Sequence, residues 1–176
     1  SGWDFSSRWL ADGHRLGSIR TTRLVPVDLN ALLFGLEQAI SKTAASIGEQ
    51  EIAADFAERA SSRARSINDH LWNEKGGYYA DFDVDAGAAS GQLTAATAFP
   101  LFTCLAAPER AQSTAKALEQ LLRPGGLMTT LGHSGQQWDA PNGWAPLQWV
   151  AIVGLRQYGW TYIADLIVVR WLAMVG

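Results

Sequence analysis

The stretch Gly135-Gln136-Gln137-Trp138-Asp139-Ala140-Pro141-Asn142-Gly143-Trp144-Ala145-Pro146-Leu147-Gln148-Trp149 is the most distinctive part of this chain of 176 residues. It combines three tryptophans, two prolines and two glycines with amide and acid side chains. Proline and glycine prevent a helix over most of this stretch, up to about Ala145. The sequence therefore predicts a rigid loop that runs into a helix.

The side chains of this loop are typical of a sugar-binding surface. A sugar ring has an apolar C–H face, which an indole can cover, and a rim of hydroxyls that carboxamides and a carboxylate can pair with. Tryptophan is, however, often just a large buried side chain, and Asn, Asp and Gly are ordinary turn residues. The loop alone leaves both interpretations open, and nothing in it suits a phosphate or a nucleic acid.

Composition narrows the class of protein. A hydrophobic content of 48% in 176 residues is enough for one core, and a net charge of −3 argues against nucleic acid and against an anionic membrane surface. No apolar run is long enough to span a bilayer. Eight tryptophans exceed the usual share, as in carbohydrate-handling enzymes. The single cysteine, Cys104, lies in an apolar run and is expected to be a buried structural thiol.

Hydrophobic periodicity predicts six helical segments outside this loop. They cover residues 28–47, with Asp28 as the cap, then 49–72, 93–106, 107–122, 145–158 and 160–175, and Pro100 kinks or divides the third. An apolar stripe on the first consists of Leu29, Leu32, Leu33, Leu36, Ile40, Thr43 and Ile47. The segment from Asn73 to Asp83 contains a Gly-Gly turn and predicts a short strand or hairpin. We expect about three helical hairpins, inner helices ringed by outer ones.

Metal and nucleophile chemistry find little support in the sequence. Asp81, Asp83 and Asp85 alternate as in a calcium loop, but no Gly follows at the required place and no Glu closes the loop. The three histidines are scattered, which disfavours zinc, and no serine lies in a Gly-x-Ser-x-Gly turn. We therefore expect no metal and no cofactor.

Three motifs together resemble the trehalases, a family of inverting glycoside hydrolases. They are Ser1-Gly2-Trp3-Asp4-Phe5-Ser6-Ser7-Arg8-Trp9, then Arg20-Thr21-Thr22 followed by Val25-Pro26-Val27-Asp28-Leu29-Asn30, and the segment from Gln136 to Trp149. The resemblance extends from Ser1 to about Tyr158. It implies an all-α fold, a partial (α/α)6 toroid of about three helical hairpins with a small β-hairpin insertion. Residues 1–176 would be a single fragment of the catalytic domain, from its C-terminal part.

The resemblance also implies an activity and a set of site residues. The activity is hydrolysis of the α,α-1,1 bond of trehalose to two glucose molecules, without a cofactor. Asp4 matches the general acid of the family. The implied substrate-binding residues are Gly2, Trp3, Gln137, Trp138, Asp139, Asn142 and Trp144. An inverting enzyme also needs a carboxylate that activates water, about 6.5–9.5 Å from the acid.

The chain departs from the family pattern in ways that limit the expected activity. The glutamate motif that supplies the base and the arginine-rich N-terminal half of the family are absent from these 176 residues. We therefore expect an inactive fragment with exposed apolar flanks, which self-associates or belongs to a larger barrel. A non-catalytic relic, a carbohydrate-binding fragment and a related α-glucoside hydrolase remain alternatives. The compartment stays open, with the periplasm slightly favoured over the cytoplasm.

Overall fold

A computed structural model describes residues 2–176, so that Ser1, the first residue of the Ser1–Trp9 motif, lies outside the described residues. Helices in this part of the chain are α1 Val27–Ser46, α2 Gln50–His70, α3 Phe99–Phe102, α4 Pro108–Glu119, α5 Ala145–Gln157 and α6 Thr161–Val175. The strands are β1 Leu24–Val25, β2 Trp72–Asn73, β3 Tyr78–Tyr79, β4 Phe82–Asp83, β5 Ala88–Ala89, β6 Leu122–Arg123 and β7 Gly126–Leu127.

The six described helices follow one another as three pairs along the chain, and the first and third pairs pack closely. Helix α1 packs along α2, the short α3 precedes α4, and α5 packs against α6. Helix α3 also lies against α5, which joins the second pair to the third. Gly154 of α5 permits this approach, because a Cβ there would lie only 2.8 Å from the backbone N of Phe102. None of the six helices in residues 2–176 has the length and hydropathy that a membrane crossing requires.

The small strands connect the helices and are more numerous than one hairpin. The predicted turn in the segment 73–83 is confirmed as the antiparallel pair β2–β3, with Gly77 at a φ of +68°. A three-stranded antiparallel sheet has the order β1–β4–β5 and joins the start of α1 to the segment after that hairpin. Strands β6 and β7 form another hairpin, which ends α4 at Glu119 instead of the expected Leu122.

The predicted third helix, residues 93–106, is wrong in length. A 3₁₀ helix over Ala95–Ala98 leads into α3, and Cys104 follows in a left-handed conformation with a φ of +55°. Pro100 cannot donate to a preceding carbonyl, so a long regular helix is unfavourable here. Cys104 is also exposed, contrary to the expected buried thiol, because the turn directs it outward.

The apolar stripe of α1 lies on a flank of the described structure. Leu29, Leu32, Leu36 and Ile47 are between 40% and 72% exposed. The buried side of α1 instead contains Ala31, Phe34 and the carboxylate-bearing Asp28 and Glu37. Helix α6 likewise exposes Tyr162, Val169, Leu172, Met174 and Val175. Described residues 2–176 therefore leave apolar faces of α1 and α6 uncovered, a feature that usually marks a contact with a partner.

Candidate active site

Two segments far apart in sequence meet at one place, the Gly2–Trp9 segment and the tryptophan loop Gly135–Trp144. The backbone N–H of Trp138 donates a hydrogen bond to the carbonyl of Phe5 at 2.8 Å. The ring of Trp3 is stacked on that of Trp138 with centroids 5.3 Å apart, and Trp138 is stacked on Trp144 at 4.7 Å. Three indoles thus form a continuous column across the two segments.

Asp4 lies at a cavity of about 380 Å³ beside this column. The lining residues are Gly2, Trp3, Asp4, Phe5, Trp9, Ile19, Thr21 and Pro26. Asp4 is exposed, and its carbonyl accepts a hydrogen bond from the indole Nε1–H of Trp9 at 3.0 Å. Gly2 has a φ of +82°, a conformation that side chains disfavour. Gly2, Trp3 and Asp4 therefore share one cavity, whereas Trp138, which is stacked on Trp3, and the rest of the tryptophan loop do not line it.

Hydrogen bonds within the loop and to Thr129 hold the backbone at Gln137 and Asn142. Gln137 and Asn142 are exposed, and the carbonyl of Gln137 accepts from the Nδ2 of Asn142 at 3.2 Å and the Nε1 of Trp144 at 3.3 Å. The carbonyl of Asn142 accepts from the backbone N–H of Thr129 at 3.0 Å. Side chains of Gln137 and Asn142 are thus presented to solvent on a fixed backbone.

Asp139 occupies a different environment from the other candidates. Its side chain is fully buried, and both oxygens accept hydrogen bonds. The donors are the hydroxyls of Ser6 at 2.9 Å, Ser7 at 2.8 Å, Thr130 at 2.8 Å and Ser134, with the backbone N–H of Ser7 at 2.7 Å. Asp139 joins the loop to the segment that carries Asp4, and this placement favours scaffolding over direct sugar contact.

Known proteins resemble this chain in sequence and in fold. A family model described as trehalase matches residues 1–176. The chain belongs to the trehalase family. It is 56% identical to a periplasmic trehalase of Pseudomonas aeruginosa over an alignment of 176 residues that covers 99% of this chain and 32% of that protein. The chain thus spans about a third of the length of such trehalases.

Solved structures confirm the fold as part of an (α/α)6 toroid. The neutral trehalase of Saccharomyces cerevisiae matches with a TM-score of 0.84 at 29% identity, over 99% of this chain and 34% of that one. A GH63 mannosylglycerate hydrolase from Thermus thermophilus matches with a TM-score of 0.75 at 24% identity, over 86% of this chain and 37% of that one. The second likeness concerns the fold alone.

This trehalase segment also contains a buried charge cluster that sequence reasoning missed. Arg8 is 2% exposed and forms paired hydrogen bonds with Asp28 and with Asp81, at 2.6–3.0 Å. Burial alone would lower the pKa of Arg8, but the charges of Asp81 and Asp28 outweigh it and raise that pKa. Asp28 is not the helix cap that the sequence predicts, because α1 begins at Val27 after Pro26; its carboxylate accepts from Arg8 and from the backbone N–H of Leu29 at 2.9 Å.

The other alternating acids are paired in the same way. Asp83 accepts a hydrogen bond from Arg20 at 2.6 Å, and Asp85 is paired with Arg23. These arginines lower the pKa of both carboxyls. Among residues 2–176, no group of three or more His, Cys, Asp or Glu side chains is arranged to hold a metal ion. The acid spacing thus reflects arginine pairing with the preceding segment.

Gln148 is a further buried polar residue whose role is not visible in the sequence. Its side chain is buried at the start of α5, with Oε1 accepting from the N–H of Leu127 at 2.8 Å and Nε2 donating to the carbonyl of Leu127 at 2.7 Å. An amide side chain thereby acts as a strand partner of β7. The only local signal is an amide among the apolar residues of the first turns of α5.

Proposed function

We propose that this chain supplies the general acid and one sugar-binding wall of a trehalase. The enzyme would hydrolyse the α,α-1,1 bond of trehalose with inversion, with Asp4 protonating the leaving oxygen. The observation that carries this proposal is the cavity at Asp4, one wall of which is an indole stacked on the tryptophan loop. Indole faces beside an acid suit a glucose ring at the point of cleavage.

The second carboxylate of the mechanism would come from outside residues 1–176. Among the cavity-lining residues in the described part of the chain, Asp4 is the only one with a carboxyl group. An inverting enzyme needs its acid and base on opposite faces of the sugar, so the base would approach from the open side of this cavity. The exposure of Asp4 in the isolated segment is consistent with an unfinished site.

Roles within the sugar-binding wall differ from residue to residue. We assign direct contacts to Gly2, Trp3, Gln137, Trp138, Asn142 and Trp144, which lie at the cavity, in the indole column or on the exposed rim of the loop. Asp139 would act by fixing the loop, because its oxygens are already occupied by five donors. The neutral amides and indoles suit an uncharged disaccharide.

The partner of the apolar flanks would be the rest of the barrel. The similar trehalase of P. aeruginosa is about three times as long as the segment it shares with this chain, which provides enough helices to cover α1 and α6. The alternative is self-association through these flanks, and size-exclusion chromatography of the 176-residue chain distinguishes the two possibilities.

Relatives from P. aeruginosa and Citrobacter koseri are named periplasmic trehalases, and we propose the periplasm for this protein too.

A carbohydrate-binding fragment without catalysis is the second candidate, favoured by the single carboxyl at the cavity. The test uses a chimera in which these 176 residues replace the matching segment of the P. aeruginosa protein. We expect glucose release from trehalose by the chimera, none above background by the isolated chain, and a loss of roughly 10²- to 10⁴-fold in kcat on Asp4→Asn. A fully active Asp4→Asn chimera would refute the role of Asp4.

A further inference from the structure

The buried Arg8 is placed to control the position of Asp4. We propose that Arg8 is a positioning residue, which holds Asp4 through the indoles of Trp3 and Trp9, and that it does not touch substrate. This inference rests on the proposed function, because it assumes that Asp4 is the acid. It concerns the 3₁₀ turn Ser7–Trp9, where Arg8 lies four residues after Asp4.

The guanidinium group of Arg8 lies over two indole rings. Its Cζ is 4.5 Å from the ring centroid of Trp3 and 4.4 Å from that of Trp9. Both distances are within the range of a cation–π contact, which is stronger when the cation is removed from water. A planar guanidinium stacks on such rings in a way that a lysine ammonium does not. Arg8 thus sets the separation of the two indoles.

Both indoles are connected to Asp4. The Nε1–H of Trp9 donates to the carbonyl of Asp4 at 3.0 Å, and Trp3 is the residue immediately before Asp4. Movement of either ring would therefore displace the backbone that carries the carboxyl. Because Trp3 is also stacked on Trp138, the same ring aligns Asp4 with the sugar-binding loop. A displacement of about 1 Å at a reacting group can lower a rate by about 10²-fold.

Arg8 is itself fixed by the rigid part of the fold. Asp28 lies in the first turn of α1, and Asp81 lies between β3 and β4. One oxygen of Asp81 also accepts from the backbone N–H of Val27 at 2.9 Å. The bidentate contacts hold the plane of the guanidinium in one orientation relative to α1 and the small sheet. The positions of α1 and the small sheet thereby determine the position of the segment that carries Asp4.

Two simpler roles for Arg8 fit the structure less well. Direct binding of sugar is disfavoured because the side chain is buried and four of its five N–H groups donate to Asp28 and Asp81. Stabilisation alone is a poor explanation, because buried ion pairs often stabilise no more than apolar side chains of similar volume. What the charged cluster adds is a fixed orientation of both indoles.

The test compares Arg8→Lys and Trp9→Phe in the active chimera. Trp9→Phe keeps a ring beside Arg8 but removes the N–H that holds Asp4, so it remains informative if Arg8→Lys does not fold. We expect kcat to fall roughly 10- to 100-fold in Arg8→Lys and about 10-fold in Trp9→Phe, with KM changed by less than about threefold. The double variant should be no slower than Arg8→Lys, because both changes act through the same backbone.

Matched controls come from a similar contact away from the cavity. Arg110 lies over the ring of Trp72 at 4.7 Å, and Arg110→Lys and Trp72→Phe make the same chemical changes there. We expect both controls to keep kcat within about twofold. Unchanged kcat in folded Arg8→Lys and Trp9→Phe, or a loss confined to KM, would overturn the positioning role. If Asp4→Asn also keeps full activity, the proposed function fails; if only Asp4→Asn loses activity, the inference about Arg8 alone fails.

Discussion

Asp139 gives the sharpest test of how the tryptophan loop is held. In Asp139→Asn the side chain keeps its shape but exchanges one accepting oxygen for a donating NH₂ group. At Oδ2 this group would face the backbone N–H of Ser7, which cannot reverse its direction. At Oδ1 it would face the hydroxyls of Ser6, Ser7 and Thr130, so both orientations place donors against donors.

The expected magnitude follows from these contacts. A hydroxyl that turns to accept from the new amide loses the acceptor of its own proton, and the hydroxyl oxygens of Ser6 and Thr130 already accept from the N–H groups of Arg8 and Gly132. At least one charge-assisted hydrogen bond is therefore lost in either orientation, which costs about 1.5–3 kcal/mol. For a chain of this size, about 2 kcal/mol corresponds to a fall in Tm of about 4–8 °C.

The measurement is thermal and urea unfolding of the 176-residue chain at pH 7, followed by tryptophan fluorescence. Asp55→Asn is the matched control, because it makes the same chemical change at a surface ion pair with Arg59. The control should change the free energy of unfolding by less than about 0.5 kcal/mol. The reasoning is refuted if Asp139→Asn is as stable as the wild type and changes only the affinity of the chimera for trehalose.

Two further predictions concern the helices. Gly154→Ala should lower the free energy of unfolding by about 1–3 kcal/mol despite a better helix propensity, because its Cβ would meet the backbone N of Phe102 at 2.8 Å. Urea unfolding measures this change. The control Gly35→Ala should cost clearly less, because its Cβ would meet only a side chain at 3.3 Å. Burial raises the pKa of Tyr158 from 10.0 to about 12, so that folding favours the protonated hydroxyl. The contribution of this hydroxyl to the free energy of unfolding is present below pH 10 and is lost as the pH rises to about 12. Tyr158→Phe should make the free energy of unfolding less dependent on pH in this window. The control Tyr162→Phe, at a side chain that is 74% exposed, should leave that dependence as it is. An equal pH dependence of the free energy of unfolding in the wild type and in Tyr158→Phe would contradict this.

The features that could be predicted from the sequence depend on local signals. Pro108 at the start of α4, the Gly-Gly turn at Gly76 and Gly77, and the end of the loop near Ala145 each restrict the backbone where they stand. The meeting of Asp4 with Trp138 was also expected, but through the family motifs and not through any local pattern. In the structure Trp138 is stacked on Trp3, the residue before Asp4, but it does not line the cavity at Asp4.

The features that were missed depend on pairing over long distances in the chain. Arg8 reaches Asp81 across 73 residues, and Asp139 reaches Ser6 across 133. No pattern near these residues indicates that their charges are buried. The stripe on α1 is a similar case, because periodicity identifies an apolar face but not the element that covers it. Leu36 is accordingly 55% exposed, although its spacing is that of a core residue.

The role of Asp4 as a proton donor is tested most directly by a substrate that needs no proton. Fluoride leaves α-glucosyl fluoride without general-acid help, whereas the glucose leaving from trehalose requires it. In the chimera, Asp4→Asn should lower kcat/KM by roughly 10²- to 10⁴-fold on trehalose but by less than about tenfold on the fluoride. Equal losses on both substrates would show that Asp4 serves binding or folding and that the acid lies elsewhere.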